Sequence, residues 1–486
     1  MAARSFSLVI LAIALAVGGW LRFANLEQME MSPDEGASWT AAAAPTVAEV
    51  IVRQARTGPG DQPMYGAMLQ DNLMNSAVPR PGKMPIYELM LHGWMNLFGP
   101  SLAAMRSMSA LLGTISILLV YWVAMELFAK PIDDGDARLT AAFAALLFAA
   151  NIVTIKYSRE TRMYPVMLAA ILAQVACFLR AWRSGGVINF LAIAALTLVA
   201  VAANFSSLLV PIAEGLWLIL DLVRIGWRFS DSRARRTWML VLALAAPGCV
   251  LAPMLISSFS ATSVATKGGY IQWIKPPSLF APIAMFNKAT GSIAFPVLAA
   301  LAAWGAISGW RRGMRDEIGF AVIWMWAPPI MMLAASYLLT PIFVERYALS
   351  SFVPFFLLAA FGIAAIPVNL WRTAAIAGAV AMSLGHLWSY DRKPHDAQYR
   401  EAFAAAEAAL GPGDTTAIVP AYAVEVLRFY APSNHLEPVL KHGISASRAT
   451  ILILGEQNLS ADSDASYHKQ FPRTVADFRG VKVLRK

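Results

Sequence analysis

The stretch FSLVILAIALAVGGWLRFANLEQMEMSPDEGASWT, residues 6–40, contains two features from which a fold and a function can be predicted. Its first half, 6–23, is an apolar run long enough to cross a bilayer, since a span needs roughly 20 residues. No small-residue cleavage site follows, which favours an uncleaved anchor over a secretory signal peptide. Its second half places two adjacent carboxylates, Asp34 and Glu35, just beyond that span. The pair is either a helix-capping feature or part of a site whose substrate lies in the membrane.

The composition of the whole chain is that of an integral membrane protein. Of its 486 residues, 58% are hydrophobic and 14% are charged, whereas soluble globular proteins carry about 25% charged residues. The net charge of +9 is expected to lie in cytoplasmic loops, so it does not indicate nucleic-acid binding. Cys177 and Cys249 fall within apolar runs, and we expect no disulfide.

Hydropathy along the chain predicts about eleven transmembrane helices. Their approximate cores are residues 6–23, 107–128, 138–155, 163–181, 187–203, 205–222, 237–257, 291–309, 318–339, 347–367 and 371–388. Basic residues alternate between the loops as expected for a cytoplasmic N-terminus. The predicted cytoplasmic loops contain Lys130, Arg138, Arg180, Arg183, Arg224, Arg228, Arg233, Arg235, Arg236, Arg311, Arg312, Arg315 and Arg372. We therefore predict a protein of the cell (inner) membrane, with residues 24–106 as a long first extracytoplasmic loop.

Two predicted extracytoplasmic segments have secondary structure of their own. Residues 84–98 carry apolar side chains at spacings of three and four, which indicates an amphipathic helix on the bilayer surface. The tail reads as a helix over 400–414, ended by Gly and Pro, with short strands at TTAIVP, ATILILG and GVKVLRK. We predict a transmembrane catalytic module at 1–388 and a small soluble α/β domain at 389–486.

Four charged clusters, all on the predicted outer side, are not explained by membrane spanning. They are Asp34–Glu35; Arg80, Lys83 and Tyr87; Lys156, Arg159, Glu160, Arg162 and Tyr164; and Glu345, Arg346 and Tyr347. Each cluster taken alone is compatible with a purely structural role, as a helix cap or an interfacial anchor. Ser32 and Asp34, for example, suit the start of a helix whose dipole favours acidic residues. Several such groups on one membrane face are costly, however, and indicate a site.

The residue types in these clusters suit phosphate chemistry. Arginine and lysine bind phosphate or diphosphate, and a carboxylate can accept a proton from an attacking hydroxyl. Cations also stabilise the charge that develops on a leaving phosphate. If residues 156–164 are helical, Arg159 and Arg162 share one face, and Glu160 and Tyr164 share the next. We therefore predict an enzyme that acts on a lipid-phosphate-linked substrate.

Four motifs resemble a known family in order and spacing, over roughly residues 5–390. They are SPDEGASW (32–39), KMPIYELMLHGWMNLFG (83–99), YSRETRMYP (157–165) and TPIFVERY (340–347). They are similar to membrane glycosyltransferases of the GT-C superfamily, in the protein-mannosyltransferase-like branch (family 39/83 type) that includes the lipid A aminoarabinose transferase. The resemblance implies a polyprenyl-phosphate sugar donor, a glycan, lipid or protein acceptor, and transfer with inversion at the outer membrane face.

The resemblance also implies roles for individual residues. It makes Asp34 the candidate catalytic base, with Glu35 beside it and Glu160 as a further catalytic carboxylate. The implied donor-phosphate ligands are Lys83, Arg159, Arg162 and Arg346, and the implied cavity residues are Tyr87, Tyr164 and Tyr347.

Two departures from the family pattern concern a metal. Gly82 stands where aminoarabinose-type relatives have a glutamate tied to metal binding, and Asn204 stands where many members have a histidine. A divalent cation held by Asp34, Glu35 and Glu160 stays an open alternative, because carboxylate oxygens suit such ions. No other cofactor is expected.

Two other classes of function are compatible with the sequence. One is a flippase or transporter for a lipid-linked sugar, although no pair of half-repeats stands out. The other is a non-catalytic envelope assembly protein whose tail binds a partner. The sequence names neither the sugar nor the acceptor.

Overall fold

The computed structural model describes residues 2–56, 85–225, 231–267, 274–391, 397–419, 423–430, 449–455 and 461–486, which are mostly helical. The α-helices are α1 (Ala2–Phe23), α2 (Pro33–Ala42), α3 (Val47–Arg56), α4 (Ile86–Phe98), α5 (Leu102–Phe128), α6 (Asp134–Ala150), α7 (Ile152–Ser158), α8 (Tyr164–Ser184), α9 (Val187–Ala203), α10 (Leu209–Ile225), α11 (Ser232–Lys267), α12 (Ala281–Thr290), α13 (Ala294–Arg311), α14 (Arg315–Leu338), α15 (Phe352–Ala364), α16 (Asn369–Asp391), α17 (Tyr399–Ala408), α18 (Val424–Tyr430) and α19 (Ala461–Gln470). Short 3-10 helices lie at Phe205–Leu208 and Glu345–Ser351, and the strands are β1 (Thr416–Val419), β2 (Ile451–Gly455), β3 (Arg473–Phe478) and β4 (Val481–Arg485).

Within the described ranges, six helical segments are long and apolar enough to cross a membrane, and the count rises to eight if each of two bent pairs forms one span. The bent pairs are α6 with α7 and α12 with α13. This content of long apolar helices is that of an integral membrane protein. The other three predicted spans correspond to α9, α10 and α16. Because α9 and α10 have only 17 residues each, shorter than the roughly 20 residues of a simple span, the count of about eleven stays a prediction.

The chain divides into two compact units. Unit 1 contains Met1–Ala24, Arg106–Ile256 and Ile274–Arg392, and unit 2 contains Asn25–Met105, Ser257–Trp273 and Lys393–Lys486. The first loop and the C-terminal tail, which are far apart in sequence, therefore belong to the same unit. The two domains predicted at 1–388 and 389–486 follow the chain order, and that division stays a prediction.

Unit 1 is a helical bundle in which small residues allow close packing. Helix α15 is buried along its whole length and lies against α13. A Cβ atom on Gly305 would come within 2.1 Å of the Leu358 carbonyl oxygen, and one on Gly362 within 2.0 Å of the Leu301 carbonyl oxygen. The two backbones approach closely only because both positions are glycine, which is a common packing device between membrane helices.

A sharp break separates α6 from α7, which are bent by 61° relative to each other. The Asn151 side chain caps α7 by accepting hydrogen bonds from backbone amides, including that of Thr154, and its Nδ2 donates to the Ala289 carbonyl at 2.9 Å. The buried Arg22 guanidinium donates to the Ala149 carbonyl at 3.0 Å and to Thr154 Oγ1 at 3.0 Å. These side chains satisfy the backbone groups that the break exposes.

Unit 2 contains a four-stranded sheet in the order β1-β2-β4-β3. Strand β1 pairs in parallel with β2, while β4 is antiparallel to both β2 and β3. The helix predicted over 400–414 is observed as α17, which ends earlier, at Ala408, and the three predicted strands are confirmed as β1, β2 and β4. Strand β3 was not predicted, because its residues are largely exposed and form no apolar run.

The amphipathic helix predicted at 84–98 is confirmed as α4. Its buried residues are Tyr87, Glu88, Leu91 and Met95. Leu97 and Phe98, at its end, are 77% and 59% exposed. The placement of this helix on a bilayer surface stays a prediction.

Candidate functional site

The acidic motif of unit 2 opens helix α2 with a complete capping box. Ser32 is the N-cap residue; its hydroxyl accepts a hydrogen bond from the Glu35 backbone N–H at 3.3 Å, and Glu35 Oε2 accepts one from the Ser32 backbone N–H at 2.9 Å. The Glu35 side chain is buried, with a 1% exposed fraction. The capping interpretation of the sequence is therefore confirmed for Ser32 and Glu35, because Glu at the third helical position is the partner that a capping box requires.

Asp34 differs from Glu35 in its surroundings. It lies in the first turn of α2, directly after Pro33, and is half-buried. The partial positive charge of a helix N-terminus favours a carboxylate at this position. Of the two adjacent acids, Glu35 faces inward to cap the helix, whereas Asp34 keeps an accessible side.

Helix α2 is held between α4 and α18 within unit 2. Thr40 Oγ1 donates a hydrogen bond to Glu425 Oε2, and the rings of Trp39 and Phe429 meet edge to face at 5.3 Å. Glu425 lies on α18, in the C-terminal tail. The helix that carries Asp34 is thus packed against a part of the chain almost four hundred residues further on.

A second acidic group precedes α2. Arg400 donates its backbone N–H to Glu30 Oε2 at 3.2 Å. Burial, followed by the hydrogen bond and the negative charge of Glu401, raises the pKa of Glu30 to about 7. Glu30 and Glu401 therefore form a carboxyl pair that joins the first loop to α17.

In unit 1, Arg159 connects three chain segments. Its Nε donates to the Leu21 carbonyl at 2.8 Å, and its guanidinium lies 3.2 Å from the carboxylate of Asp391. Leu21 is near the end of α1 and Asp391 ends α16. The Arg159 side chain is only 7% exposed. Its role as a donor-phosphate ligand stays a prediction, and its observed contacts fix the ends of α1, α7 and α16.

Residues 156–164 do not form one continuous helix, so the condition for a shared face of Arg159 and Arg162 is not met. Helix α7 ends at Ser158 with Arg159 as its C-cap, a turn follows, and α8 begins at Tyr164. Pro165 is the physical reason, since proline lacks the N–H that a continuous helix needs and its ring clashes with the carbonyl four residues earlier. Arg159 and Arg162 therefore do not share one helix face. Arg162 lies in the turn and is half-buried.

The third and fourth clusters of the sequence come together in unit 1. Helix α8, which Tyr164 opens, packs against the 3-10 helix that begins at Glu345. The phenol of Tyr157 stacks edge to face on Tyr164 at 5.0 Å and lies within the electrostatic range of Glu160, Glu345 and Arg346. We call this group the polar layer of unit 1. It contains Tyr157, Glu160, Tyr164, Glu345 and Arg346.

Lys288 adds a cation to this layer that was not predicted, beside charged residues that were. Lys288 Nζ lies 3.0 Å from Glu345 Oε2 in an exposed ion pair, and Lys156 Nζ lies 4.0 Å from Glu160 Oε1. The guanidinium of Arg346 sits 5.8 Å from the ring centre of Tyr347. Lys288 was missed because it is a single cation at the end of an apolar helix, with no charged neighbour in sequence.

The remaining predicted residues are placed as follows. Arg80 and Lys83 lie outside the described residues. Tyr87 is buried in α4 of unit 2, with a 1% exposed fraction. Tyr164 is buried, and Tyr347 is half-buried, both in unit 1. Asp34, Glu35 and Tyr87 thus belong to unit 2, whereas the other described candidates belong to unit 1.

The part of the chain that the structure describes contains no group of three or more His, Cys, Asp or Glu side chains arranged to hold a metal ion. Asn204 instead caps the following 3-10 helix by accepting the Ser206 backbone N–H at 2.9 Å. A divalent cation held by Asp34, Glu35 and Glu160 stays a prediction, and no step is assigned to one.

No protein-family model matches the chain, and no curated protein matches it by sequence. Solved structures do match it. ArnT from Cupriavidus metallidurans in the apo state superposes with a TM-score of 0.60 at 14% identity, over 100% of this chain and 98% of that chain. The same protein bound to undecaprenyl phosphate gives 0.57 at 13% identity, over 99% and 98%. The archaeal oligosaccharyltransferase AglB from Archaeoglobus fulgidus, in complex with an inhibitory peptide and a dolichol-phosphate, gives 0.59 at 10% identity, over 93% and 70%.

The chain therefore shares the fold of these solved structures, which is the fold that its resemblance to the GT-C superfamily implies. The resemblance seen in the four sequence motifs is confirmed at this level. Identities of 10–14% establish a shared fold and do not establish a shared reaction.

Proposed function

We propose that the protein is an inverting glycosyltransferase that moves a sugar from a polyprenyl-phosphate donor to an acceptor hydroxyl at the outer face of the membrane. The observation that supports this most strongly is the agreement of its fold, over nearly the whole chain, with a protein bound to undecaprenyl phosphate. The polar layer of unit 1 and the accessible Asp34 of unit 2 supply residue types that the reaction needs.

In the proposed reaction, the acceptor hydroxyl oxygen attacks the anomeric carbon of the sugar. The bond between that carbon and the phosphate oxygen breaks, and polyprenyl phosphate leaves with the bonding electrons. Asp34 accepts the proton of the hydroxyl, a task for which a carboxylate at hydrogen-bond distance is suited. Attack opposite the leaving group inverts the anomeric configuration, so no covalent intermediate with the protein is needed.

We assign stabilisation of the leaving phosphate to Lys83, Arg162 and Arg346, and the lining of the sugar site to Tyr87, Tyr164 and Tyr347. Arginine suits this role because its fork of donors matches phosphate oxygens. Glu160 is placed beside Lys156, and we assign it the orientation of that cation. Glu35 is assigned to holding the first turn of α2. Preorganised cations of this kind are commonly the largest contribution to catalysis of phosphate departure.

The base is tested with Asp34→Asn, which keeps the shape of the side chain and removes its charge. Purified protein in nanodiscs would be given a panel of labelled polyprenyl-phosphate sugars with an envelope extract as acceptor source. We expect transfer to fall about 100-fold or more, because a general base contributes about 10²–10⁴. Glu49→Gln is the matched control, since it removes one exposed carboxylate from the same unit. Full transfer by the Asp34 variant would remove Asp34 from the mechanism.

The cations are tested with Arg346→Gln. Arg311→Gln is the control, because Arg311 is an exposed arginine at the end of α13 in unit 1. Loss of a phosphate contact is expected to raise the donor KM and to lower kcat, because the contact strengthens as charge develops on the leaving group. Equal kinetics for both variants would contradict the assignment of Arg346.

The two alternative functions predict different products. A flippase moves the lipid-linked sugar without breaking the glycosyl phosphate bond, and an assembly protein leaves the donor unchanged. Release of free polyprenyl phosphate together with a new glycoside is expected only from the transferase. The sugar and the acceptor would be identified by mass spectrometry of envelope glycolipids and glycans from cells with and without the gene.

A further inference from the structure

The backbone of α2 approaches that of α18 most closely at Gly36, two residues after Asp34. A Cβ atom on Gly36 would lie 3.0 Å from the Glu425 Cβ, 3.2 Å from the Glu425 carbonyl carbon and 3.2 Å from the Val426 nitrogen. Real Cβ atoms are rarely found so near to backbone atoms. A glycine at this position therefore lets the two helices touch where the acidic motif lies.

A polar contact reinforces the approach one turn further along α2. Thr40 Oγ1 donates to Glu425 Oε2, and Arg428 Nη1 lies 2.9 and 3.0 Å from the two carboxylate oxygens of the same residue. Glu425 is buried, with an 8% exposed fraction. Its carboxylate is thus oriented by Arg428 on its own helix and holds Thr40 on the other. Charge-assisted hydrogen bonds of this kind are stronger than neutral ones.

Aromatic side chains of α18 contact the segment on both sides of Asp34. Phe429 packs edge to face on Trp39, and the Tyr430 hydroxyl accepts a hydrogen bond from the Met31 backbone N–H at 2.9 Å. The guanidinium of Arg400, on α17, lies 4.8 Å from the ring centre of Tyr430. The segment around Asp34 is therefore held on both sides, at residue 31 before Asp34 and at residues 36, 39 and 40 after it.

We propose that α18 is a positioning element for the catalytic base, so that the C-terminal tail fixes the direction of the Asp34 carboxylate by holding α2. The proposal rests on the proposed role of Asp34. Thr40, Gly36, Glu425 and Tyr430 act through α2 and do not touch the substrate. A displacement of about 1 Å in a reacting group is enough to reduce a rate by about 100-fold, so loosening α2 lowers kcat without weakening the donor site.

The polar contact is tested by comparing Thr40→Val with Thr40→Ser in the full chain in nanodiscs. Valine has nearly the same shape as threonine but cannot donate, whereas serine keeps the hydroxyl. We expect Thr40→Val to lower kcat about tenfold with the donor KM unchanged, and Thr40→Ser to restore kcat to within about twofold of the wild type. Glu425→Leu combined with Thr40→Val is expected to be no slower than the worse single variant, because either change removes the hydrogen bond between the two side chains.

The close approach is tested by comparing Gly36→Ala with Gly93→Ala. Both glycines are helical and in unit 2, but a Cβ atom on Gly93 meets nothing within 4 Å. In a free helix, alanine is the better residue by about 1 kcal/mol, so Gly36→Ala slows the reaction only if α18 must stay close. We expect kcat to fall about tenfold for Gly36→Ala and to be unchanged for Gly93→Ala.

Hydrogen exchange of the α2 backbone amides separates this proposal from the proposed function. Faster exchange in α2 together with a lower kcat for Thr40→Val and Gly36→Ala, but not for Thr40→Ser or Gly93→Ala, supports the positioning role, whereas full activity of Asp34→Asn overturns the proposed function and the positioning role with it. Wild-type kcat and unchanged exchange in Thr40→Val and Gly36→Ala would overturn it, while leaving the proposed function of Asp34 intact.

Discussion

Arg159 and Asp391 form an ion pair in which the cation is almost completely buried. The Arg159 guanidinium lies 3.2 Å from both carboxylate oxygens of Asp391, and the two side chains are 7% and 38% exposed. The same arginine donates to the carbonyl of Leu21. The Arg159 side chain therefore joins the ends of α1, α7 and α16. It has this structural role in addition to its predicted role as a donor-phosphate ligand.

Replacement of Arg159 by Gln is expected to destabilise the protein by about 3 kcal/mol, because removal of one partner leaves a partly buried charge and a carbonyl without their donor. Thermal unfolding of the purified protein in nanodiscs would measure the change. Arg138→Gln is the control; its pair with Asp134 is an exposed pair within one helix and is worth about 0.5 kcal/mol or less. Unchanged stability together with a raised donor KM would show that Arg159 serves mainly to bind the donor.

Glu35 can be tested by exploiting the capping box, which accepts either Glu or Gln at its third position. We expect Glu35→Gln to keep stability and most of the activity, and Glu35→Ala to cost about 1 kcal/mol, which is the usual effect of losing a cap. A loss of activity in Glu35→Gln as large as that in Asp34→Asn would instead assign the negative charge of Glu35 to the chemistry.

The pH dependence of stability depends on Glu30. Its pKa is about 7 in the folded protein, raised from 4.5, so the folded chain binds more protons than the unfolded chain between these values. The contribution of Glu30 to the free energy of unfolding is fully present below about pH 4.5 and is lost as the pH rises through 7. Glu30 is half-buried, and after allowance for solvent screening we expect a loss of roughly 1 kcal/mol.

Glu30→Gln should abolish this pH dependence, since glutamine does not titrate. Unfolding temperatures measured at acidic, neutral and alkaline pH would show a flatter profile for the variant than for the wild type. The control is Glu27→Gln, which removes an exposed carboxylate from the same loop. If both variants follow the wild-type profile, the carboxyl pair of Glu30 and Glu401 does not govern the pH response.

The contact between α13 and α15 predicts a strong effect of a single methyl group. Gly305→Ala would place a Cβ atom 2.1 Å from the Leu358 carbonyl oxygen, and α13 would have to move away from α15. We expect a destabilisation of about 2–3 kcal/mol, as for overpacked cores. Gly378→Ala is the matched control, because a Cβ atom there meets nothing within 4 Å. Equal unfolding temperatures for the two variants would contradict the close packing.

Much of the architecture could be predicted from the sequence because it depends on local composition. Long apolar runs specify membrane helices, the 3.6-residue period indicated α4, and short runs rich in apolar residues indicated β2 and β4. The failures have equally local causes. The turn between α7 and α8 precedes Pro165, which cannot continue a helix from the preceding residues, and β3 lacks an apolar pattern.

The sequence by itself determined that this is an integral membrane protein, and it showed the acidic motif after α1 and the charged clusters. These features depend only on composition and on which residues are adjacent in the chain. Only the tertiary structure decided which of two neighbouring carboxylates is buried, that Arg159 joins α1 to α16, and that α18 lies against α2. Such contacts join residues hundreds of positions apart, and they depend on backbone approach distances, as at Gly36, that no local pattern encodes. The physical reason is that packing and burial are properties of the folded chain, whereas hydropathy and charge belong to each residue.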